Sequence, residues 1–537
     1  MLERGDSFAV IRDRFRWDIP ARYNMGVDVC DRWADACPDR VAIIHDDGET
    51  QEAFTYRRLR ARSNQLANLL ASLGVHRGDR VGIFLPQHPY TAISHIAVYK
   101  MAAIAVPLFT LFGPEALQFR LADCAAKAVI ADARSARTLS KIADQLPALQ
   151  HVLCTDGEQF GAMDLAQAMA RHGEDYQPQN THAEDPALII YTSGTTGQPK
   201  GALHAHRTLL GHLPGVEMSH DLFPQPGDKI WTPADWAWIG GLMDVLMPAL
   251  HHGVAVVSRR FPKFTGEAAF ALINKHGIRN AFLPPTALKM MRAVGKTQCQ
   301  IAKPMRTIAS GGETLGAELL AWGRETFSVA INEFYGQTEC NMIVSSCGAL
   351  FPPAPGVMGF PVPGHDVQVI SSNGEVLAPG KIGDIAVRAP DPVMFLGYWN
   401  NAQKTREKFR GEWMLTGDTG IAQKNGALKF VARDDDVITS SGYRIGPGEI
   451  EDCLIGHPAV QMAAVVGKPD PMRTQIVKAF VKLNDNDQQS EQLIGELQQW
   501  VKTRLSAHEY PREIEFVESF PQTTTGKIIR RLLREPA

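Results

Sequence analysis

Residues 191–201 read Tyr191-Thr192-Ser193-Gly194-Thr195-Thr196-Gly197-Gln198-Pro199-Lys200-Gly201. Five hydroxyl side chains, three glycines and one lysine lie within these eleven residues. Backbone N–H groups that glycine leaves accessible, hydroxyl donors and a cation are the groups that hold a polyphosphate. The run is not a Walker A loop, because Pro199 and Gly201 flank the lysine where glycine and Ser/Thr are required. We therefore predict a phosphate-binding loop of another kind.

The segment before this loop, Ala187 to Ile190, is apolar and predicts a buried strand. Ligands of α/β sheets bind where such strands end. From residue 41 to about 260, similar apolar runs alternate with helical stretches, which predicts an α/β domain with largely parallel sheets. The predicted strands are Val41 to Ile44, Val81 to Leu85, Ala128 to Ile130 and Val254 to Val257.

The chain changes character at Asp434-Asp435-Asp436. Two further apolar runs, 463–466 and 477–481, and a helical pattern over 491–505 follow this acidic break. A chain of 537 residues is also too long for one hydrophobic core. We predict a large N-terminal domain over residues 1–434 and a small α+β domain over 435–537.

Composition excludes several classes of protein. The hydrophobic share of 45% and the charged share of 21% are ordinary for a soluble globular protein. A net charge of -3 gives no general attraction to nucleic acid. The eight cysteines form no CxxC pair, which suggests reduced thiols and a cytoplasmic protein. We expect neither a secretory signal nor a transmembrane helix.

Six further motifs follow the loop in order, and each of them alone is weak. A basic C-terminal segment, for example, is ordinarily a solvated tail. The motifs are Gly311-Gly312-Glu313, Glu333-Phe334-Tyr335-Gly336-Gln337-Thr338-Glu339, Thr416-Gly417-Asp418, Ala432-Arg433-Asp434-Asp435-Asp436, Ser441-Gly442-Tyr443-Arg444-Ile445-Gly446-Pro447 and Pro521-Gln522-Thr523-Thr524-Thr525-Gly526-Lys527.

Together with the loop, this ordered set resembles the adenylate-forming superfamily of acyl-CoA synthetases, adenylation domains and beetle luciferases. The resemblance spans nearly the whole chain and is greatest to the short- and medium-chain acyl-CoA synthetases. One departure is Ala432, where the family usually has glycine. The resemblance implies an AMP-forming acid–thiol ligase that uses ATP, CoA and Mg²⁺. It activates a medium-chain, branched or aromatic carboxylic acid to an acyl adenylate and then forms the CoA thioester.

The resemblance also assigns residues to the nucleotide. Tyr335 stacks on adenine, Asp418 binds the ribose hydroxyls, and Thr338 contacts the α-phosphate. Glu339 holds Mg²⁺, for which a carboxylate is a suitable ligand. Further contacts to ATP or AMP are implied for Thr192, Ser193, Gly194, Thr195, Thr196, Gly197, Lys200, Gly311, Gly312, Glu313, Glu333, Gly336, Gln337, Arg433 and Arg444.

The remaining roles concern the acyl group, CoA and the small domain. Trp238 and Gly336 are implied to line the acyl pocket, with Gly336 opening a deep apolar slot. The tunnel for CoA is implied for Ser441, Gly442 and Tyr443. The small domain would swing about Asp435, withdrawing the catalytic Lys527 after the first step and presenting Gly442 for the second.

Several alternatives remain open from the sequence. A stand-alone adenylating enzyme that loads a separate acyl carrier protein would share these motifs, although only ten residues follow Lys527. A luciferase-like oxygenase is only weakly excluded. A non-catalytic nucleotide sensor would be expected to lack Lys527 or Glu339. The segment around Lys527 also resembles those at which protein acetyltransferases modify family members, and acetylation would remove the charge of the lysine.

The two-conformation mechanism makes a separable prediction for Lys527. Lys527→Ala is expected to lower acyl-adenylate formation by several orders of magnitude, because the lysine stabilises charge on the transferred phosphoryl group. Thioester formation from supplied acyl adenylate and CoA is expected to survive. Single-turnover assays of each half-reaction measure the two rates. Equal loss of both rates in a folded variant would contradict the mechanism.

Overall fold

The computed structural model describes all residues except 6, 193–198, 296–300, 314, 434–435, 437, 441–442, 471–472, 485–488, 506–508, 523–527 and 535–537. Its strands are β1 Val41–Asp46, β2 Gln51–Thr55, β3 Arg80–Phe84, β4 Ile104–Pro107, β5 Ala128–Ala131, β6 His151–Cys154, β7 Met163–Asp164, β8 Pro186–Thr192, β9 Lys200–Ala205, β10 Lys229–Trp231, β11 Ala255–Ser258, β12 Asn280–Phe282, β13 Thr307–Gly311, β14 Ile331–Gln337, β15 Cys340–Ser345, β16 Phe360–Pro361, β17 Val367–Ile370, β18 Ile382–Arg388, β19 Gly397–Tyr398, β20 Phe409–Arg410, β21 Trp413–Ala422, β22 Leu428–Arg433, β23 Ile438–Ser440, β24 Tyr443–Ile445, β25 Val460–Asp470, β26 Thr474–Leu483 and β27 Glu513–Phe516.

The α-helices are α1 Phe8–Arg14, α2 Arg32–Ala36, α3 Tyr56–Ser72, α4 Pro89–Lys100, α5 Pro114–Asp123, α6 Ala133–Ser140, α7 Leu165–Met169, α8 Thr208–Ser219, α9 Ile239–Gly241, α10 Met247–His252, α11 Gly266–His276, α12 Pro285–Arg292, α13 Ala317–Phe327, α14 Ala402–Glu407, α15 Pro447–Ile455, α16 Glu491–Arg504 and α17 Arg530–Arg534. Val27–Asp31 and Leu242–Leu246 are π-helical, and Ala143–Gln145 forms a 3₁₀ turn. The π-helical turn at Leu242–Leu246 joins α9 to α10 without a break.

Two large sheets form the N-terminal part of the molecule. The first has nine strands in the order β16-β15-β14-β13-β12-β10-β11-β1-β2, and its centre from β14 to β1 is parallel. The second has eight strands in the order β19-β9-β8-β4-β3-β5-β6-β7 and is parallel from β8 to β7. The predicted α/β fold with largely parallel sheets is confirmed.

Apolar side chains of both sheets meet helices α3, α4, α8 and α10 in one continuous core. Helix α3 shows why these residues fold locally as they do. The Thr55 hydroxyl accepts the Arg58 N–H at its start, and the leucines of one face are buried. Gly74, which follows the last turn, has a φ of +78°, the left-handed conformation in which glycine commonly ends a helix.

Two five-stranded sheets complete the fold. The first consists of β17, β18, β21, β20 and β22, is antiparallel, and lies beside the nine-stranded sheet. The second consists of β24, β23, β26, β25 and β27 and has its own apolar core with α15 and α16. This second sheet is the predicted small α+β unit. The boundary at 434–435 and the hinge at Asp435 lie outside the described residues and stay predictions.

No helix within the described ranges is long and apolar enough to cross a membrane. Every cysteine that the structure describes is a free thiol.

Two helical glycines give opposite predictions for stability. A Cβ at Gly495, in α16, would meet nothing within 4 Å, whereas a Cβ at Gly211, in α8, would overlap the backbone of Pro392 and Val393. Gly495→Ala is expected to stabilise the protein by about 0.5–1 kcal/mol, through lower backbone entropy of the unfolded chain. Gly211→Ala is expected to destabilise it by about 1–3 kcal/mol. Calorimetric melting temperatures that move in the same direction for both variants would contradict this account.

Candidate active site

The predicted site motif forms a hairpin at the edge of the parallel region. Strand β14 ends at Gln337, β15 begins at Cys340, and these two residues pair. Thr338 and Glu339 therefore occupy the turn. The register shifts between Tyr335 and Gln337, and Met342 opposite this shift has a φ of +56°. Backbone conformations of this kind are costly for a side-chain-bearing residue and are concentrated at functional sites.

A hydrogen bond connects this hairpin to the five-stranded sheet with β21. The hydroxyl of Tyr335 donates to Asp418 Oδ2 at 2.6 Å. Burial and the neighbouring Asp418 carboxylate raise the pKa of Tyr335 well above its usual value, so the phenol stays a donor. Arg433 pairs with Asp418 across β21 and β22, and its Nε lies 3.9 Å from Asp418 Oδ1. The residues predicted to bind adenine and ribose are thus in direct contact.

A second polar cluster surrounds Glu339. The hydroxyl of Tyr398 donates to Glu339 Oε1, and the Nζ of Lys200 lies 4.5 Å from the centre of the Tyr398 ring. Lys408 Nζ donates to Gln337 Oε1 at 3.0 Å and to the carbonyl oxygen of Leu415 at 3.0 Å. Burial lowers the pKa of Lys408. Tyr398 therefore contacts both the predicted metal ligand Glu339 and Lys200, which follows the predicted phosphate loop.

Sequence reasoning missed Tyr398 and Lys408. Tyr398 lies in β19, which pairs with β9 and so reaches the strand that follows the phosphate loop. Nothing in the local sequence around Lys408 marks it as a site residue, because its partners come from β14 and β21.

Gly311 and Glu333, two residues predicted to contact the nucleotide, lie on neighbouring strands. Gly311 ends β13, and a Cβ there would lie 2.6 Å from the Phe334 ring, so the strands approach closely only because the residue is glycine. Gly312 has a φ of +95°, which also favours glycine. Burial raises the pKa of the Glu333 carboxyl to about 8, with a smaller contribution from Asp452 of α15. Glu313 contributes to the raised pKa of Arg530.

The residues predicted for the acyl pocket adjoin this edge. The half-buried Trp238 ring lies 6.2 Å from Phe282, which lies 5.1 Å from Phe334. These three rings form an aromatic wall. Gly336 does not face an open slot, because a Cβ there would lie 2.6 Å from Asn341 Cα and 2.6 Å from the backbone nitrogen of Met342. The close approach of two backbones requires glycine at this position.

Several predicted residues lie outside the described part of the chain. They are Ser193, Gly194, Thr195, Thr196 and Gly197 of the phosphate loop, Asp435, Ser441, Gly442 and Lys527. Of Tyr443 and Arg444 the structure describes the backbone, which pairs with β23. Thr192 and Lys200 pair with each other at the two ends of the phosphate loop.

Two family models match the chain. The model for AMP-binding enzymes matches residues 30–399, and the model for the C-terminal domain of AMP-binding enzymes matches residues 449–527. The chain belongs to the AMP-binding enzyme family. It is an AMP-forming acid–CoA ligase that uses ATP, as predicted.

Relatives of known sequence or structure match the chain over most of their lengths. The acetyl-coenzyme A synthetase of Bacillus subtilis is 33% identical, with 96% of this chain and 90% of that protein covered. The human mitochondrial acyl-coenzyme A synthetase ACSM2B is 33% identical, with 96% and 91% covered. The anthranilate CoA ligase AuaEII, solved with anthranoyl-AMP, has a TM-score of 0.88 at 30% identity, with 96% and 98% covered. A benzoate CoA ligase from Burkholderia xenovorans has a TM-score of 0.84 at 28% identity, with 96% and 100% covered.

The Tyr398–Glu339 hydrogen bond gives a testable prediction. Tyr398→Phe removes the donor that orients the Glu339 carboxylate, so kcat/KM for ATP is expected to fall about tenfold. The Mg²⁺ concentration for half-maximal rate is expected to rise. Initial rates of pyrophosphate release at varied ATP and Mg²⁺ measure both quantities.

Tyr23→Phe is the matched control, because the Tyr23 hydroxyl makes the same kind of bond to Asp28 Oδ2 at 2.7 Å, away from the hairpin. Its kinetics are expected to equal those of the wild type. An unchanged Mg²⁺ dependence in Tyr398→Phe would show that this bond does not orient Glu339.

Proposed function

We propose that the chain converts a carboxylic acid larger than acetate, with a medium-chain, branched or aromatic acyl group, to its CoA thioester. The observation that carries this proposal is the half-buried ring of Trp238, which the buried rings of Phe282 and Phe334 support in the aromatic wall. An aromatic surface gains most by burying an extended apolar group, at about 0.8 kcal/mol per methylene. Acetate has too little apolar surface to use it.

The names of the relatives agree with this proposal without deciding it. Anthranilate and benzoate are compact aromatic acids, whereas another relative is an acetyl-coenzyme A synthetase. The aromatic wall of this chain favours acids the size of benzoate or anthranilate over acetate.

We propose the ATP contacts that the family resemblance implies, and the geometry of the hairpin supports them. Tyr335, held by its bond to Asp418, presents its ring to adenine, and Asp418 with Arg433 receives the ribose. Lys200 stands at the end of the loop that holds the departing phosphates. Thr338, in the turn next to Glu339, contacts the α-phosphate.

Mg²⁺ fits the residues around Glu339. No group of three or more His, Cys, Asp or Glu side chains suited to a metal occurs among the described residues. A single buried carboxylate is nevertheless suitable, because Mg²⁺ in nucleotide sites is held by one or two carboxylates together with phosphate oxygens. When bound, the ion neutralises charge on the phosphates. Glu339 would hold it, and Tyr398 would fix the direction of the carboxylate.

Two displacement steps then account for the products. A carboxylate oxygen of the acid attacks the α-phosphorus of ATP and pyrophosphate leaves, with Lys527 stabilising the transferred group. The CoA thiol, after losing its proton, attacks the acyl carbon and AMP leaves. The movement of residues 435–537 about Asp435 between these steps, with Gly442 lining the CoA tunnel, is part of the proposal.

Two further proposals concern the setting of the enzyme. We place it in the cytoplasm, which the free thiols support. Acetylation of Lys527 by a protein acetyltransferase would block the first step by removing the positive charge. Peptide mass spectra of protein from the source cells that always show an unmodified lysine would contradict this regulation.

The test of the proposed substrate class compares acids of increasing length. Wild-type kcat/KM for acyl-CoA formation is expected to rise about fourfold per methylene from acetate through butyrate and hexanoate. Trp238→Ala is expected to lower kcat/KM for the best acid by about tenfold or more, because it removes one ring of the aromatic wall.

Trp322→Ala is the matched control, because Trp322 packs edge-on against Phe327 of its own helix α13, away from the wall. Its acid preference is expected to equal that of the wild type. A wild-type optimum at acetate would refute the proposed substrate class.

A further inference from the structure

We propose that Lys408 is a positioning residue for both steps of the reaction. It holds the turn formed by Thr338 and Glu339 against strand β21, and its fixed positive charge stabilises the AMP that leaves in the second step. The inference rests on the proposed ATP contacts and goes beyond them, because Lys408 lies outside every motif of the family resemblance.

The ammonium group of Lys408 is held in one place by the protein. Lys408 directly follows helix α14, and its Nζ donates to Gln337 Oε1 at 3.0 Å. The same Nζ donates to two carbonyl oxygens of β21, that of Leu415 at 3.0 Å and that of Thr416 at 3.3 Å. An ammonium group has three protons, so these acceptors use all of them. The group is therefore fixed, unlike that of a solvated surface lysine.

These contacts connect the turn of the hairpin to the strand that carries Asp418. The Gln337 amide is held at both ends, because its Oε1 accepts from Lys408 and its Nε2 donates to the carbonyl oxygen of Thr416 at 3.1 Å. Gln337 is the last residue of β14 before the turn at 338–339. The hydroxyl of Thr416 accepts the backbone N–H of Asp418 at 3.2 Å. Loss of Lys408 would free the amide and loosen the turn.

The hydrogen-bond partners of Lys408 do not neutralise its charge. All of the acceptors are uncharged, namely an amide oxygen and carbonyl oxygens. The fully buried Lys100 differs, because its Nζ lies 2.6 Å from the Asp31 carboxylate and the two charges compensate each other. The half-buried Lys408 therefore keeps a positive charge that acts on a group bound beside it.

The charged groups that face Lys408 belong to the proposed nucleotide site. They are the carboxylates of Glu339 and Asp418 and the cations Lys200 and Arg433. The ribose that Asp418 is proposed to bind is joined to the α-phosphate through a methylene group, and Thr338 is proposed to contact that phosphate. We therefore expect the α-phosphate to lie beside the ammonium group of Lys408.

The second step needs a cation that stays with AMP. The thiolate of CoA attacks the acyl carbon, the bond from that carbon to the phosphate oxygen breaks, and its electron pair leaves with AMP. The phosphate gains negative charge as this bond breaks. In the proposed mechanism Lys527 has by then withdrawn with residues 435–537. Lys408 precedes those residues and is bonded to the strands of the nucleotide site, so its charge remains and stabilises the leaving group.

The experiment measures each half-reaction in a single turnover of the full-length enzyme. The acid is whichever of acetate, butyrate, hexanoate and benzoate has the highest wild-type kcat/KM, and its adenylate is supplied for the second step. Lys408→Met removes the charge and keeps the length of the side chain. Both rates are expected to fall about tenfold or more, whereas Lys527→Ala lowers only the first. The CoA concentration for half-maximal rate is expected to stay unchanged, because the charge acts on the leaving group.

The matched control is Lys404→Met, which removes an exposed lysine of helix α14 that pairs with Glu407 at 2.6 Å. Its two rates are expected to equal those of the wild type. Lys408→Arg keeps a positive charge and N–H donors, and it is expected to recover most of the thioester rate that Lys408→Met loses. Lys408→Gln, which keeps an N–H donor without the charge, replaces the methionine variant if that variant does not fold.

A wild-type rate of thioester formation in the uncharged variant, or no recovery in Lys408→Arg, would overturn the inference and leave the proposed function intact. A wild-type optimum at acetate would instead refute the proposed substrate class without affecting the role of Lys408.

Discussion

The hydrogen bond between Tyr335 and Asp418 determines how the two sheets that build the site meet. Tyr335 belongs to the nine-stranded sheet and Asp418 to the neighbouring five-stranded sheet. Gln337 Nε2, which donates to the carbonyl oxygen of Thr416 at 3.1 Å, adds a second polar contact between the same strands. Because a buried hydroxyl or carboxylate without a partner is costly, the two sheets have little freedom to separate. The distance between Tyr335 and Asp418, the residues proposed to bind adenine and ribose, follows from this junction.

The fold was largely predictable because its signals are local. Apolar runs bounded by turn residues gave parallel strands of both large sheets; Val41 to Ile44, for example, lies within β1 Val41–Asp46. The strand predicted before the proposed phosphate loop is confirmed, because the apolar run Ala187 to Ile190 lies within β8. The motif from Glu333 to Glu339 was also identifiable, since it is contiguous in the sequence.

The contacts that complete the site could not be predicted, because they join residues distant in sequence. Tyr398 and Glu339 are 59 residues apart, and Lys408 and Gln337 are 71 apart. Periodicity and spacing report the neighbours of a residue along the chain, whereas these pairs arise when strands from different sheets come together. The close packing around Gly336 could not be predicted for the same reason. The register shift that places Asn341 opposite Gly336 is a property of the strand pair.

The close backbone approach at the glycines of the site limits how enzymes of this design can diversify. At Gly311 and Gly336 a Cβ would lie within 2.7 Å of backbone atoms of neighbouring residues, so natural drift at these two positions is blocked. A change of acid would therefore act through side chains whose backbones are not constrained in this way, such as that of Trp238, the residue proposed for the acyl pocket. A scaffold that tolerates no side chain at its closest backbone contacts, but allows substitution one layer away, can exchange substrates without reassembling its nucleotide site.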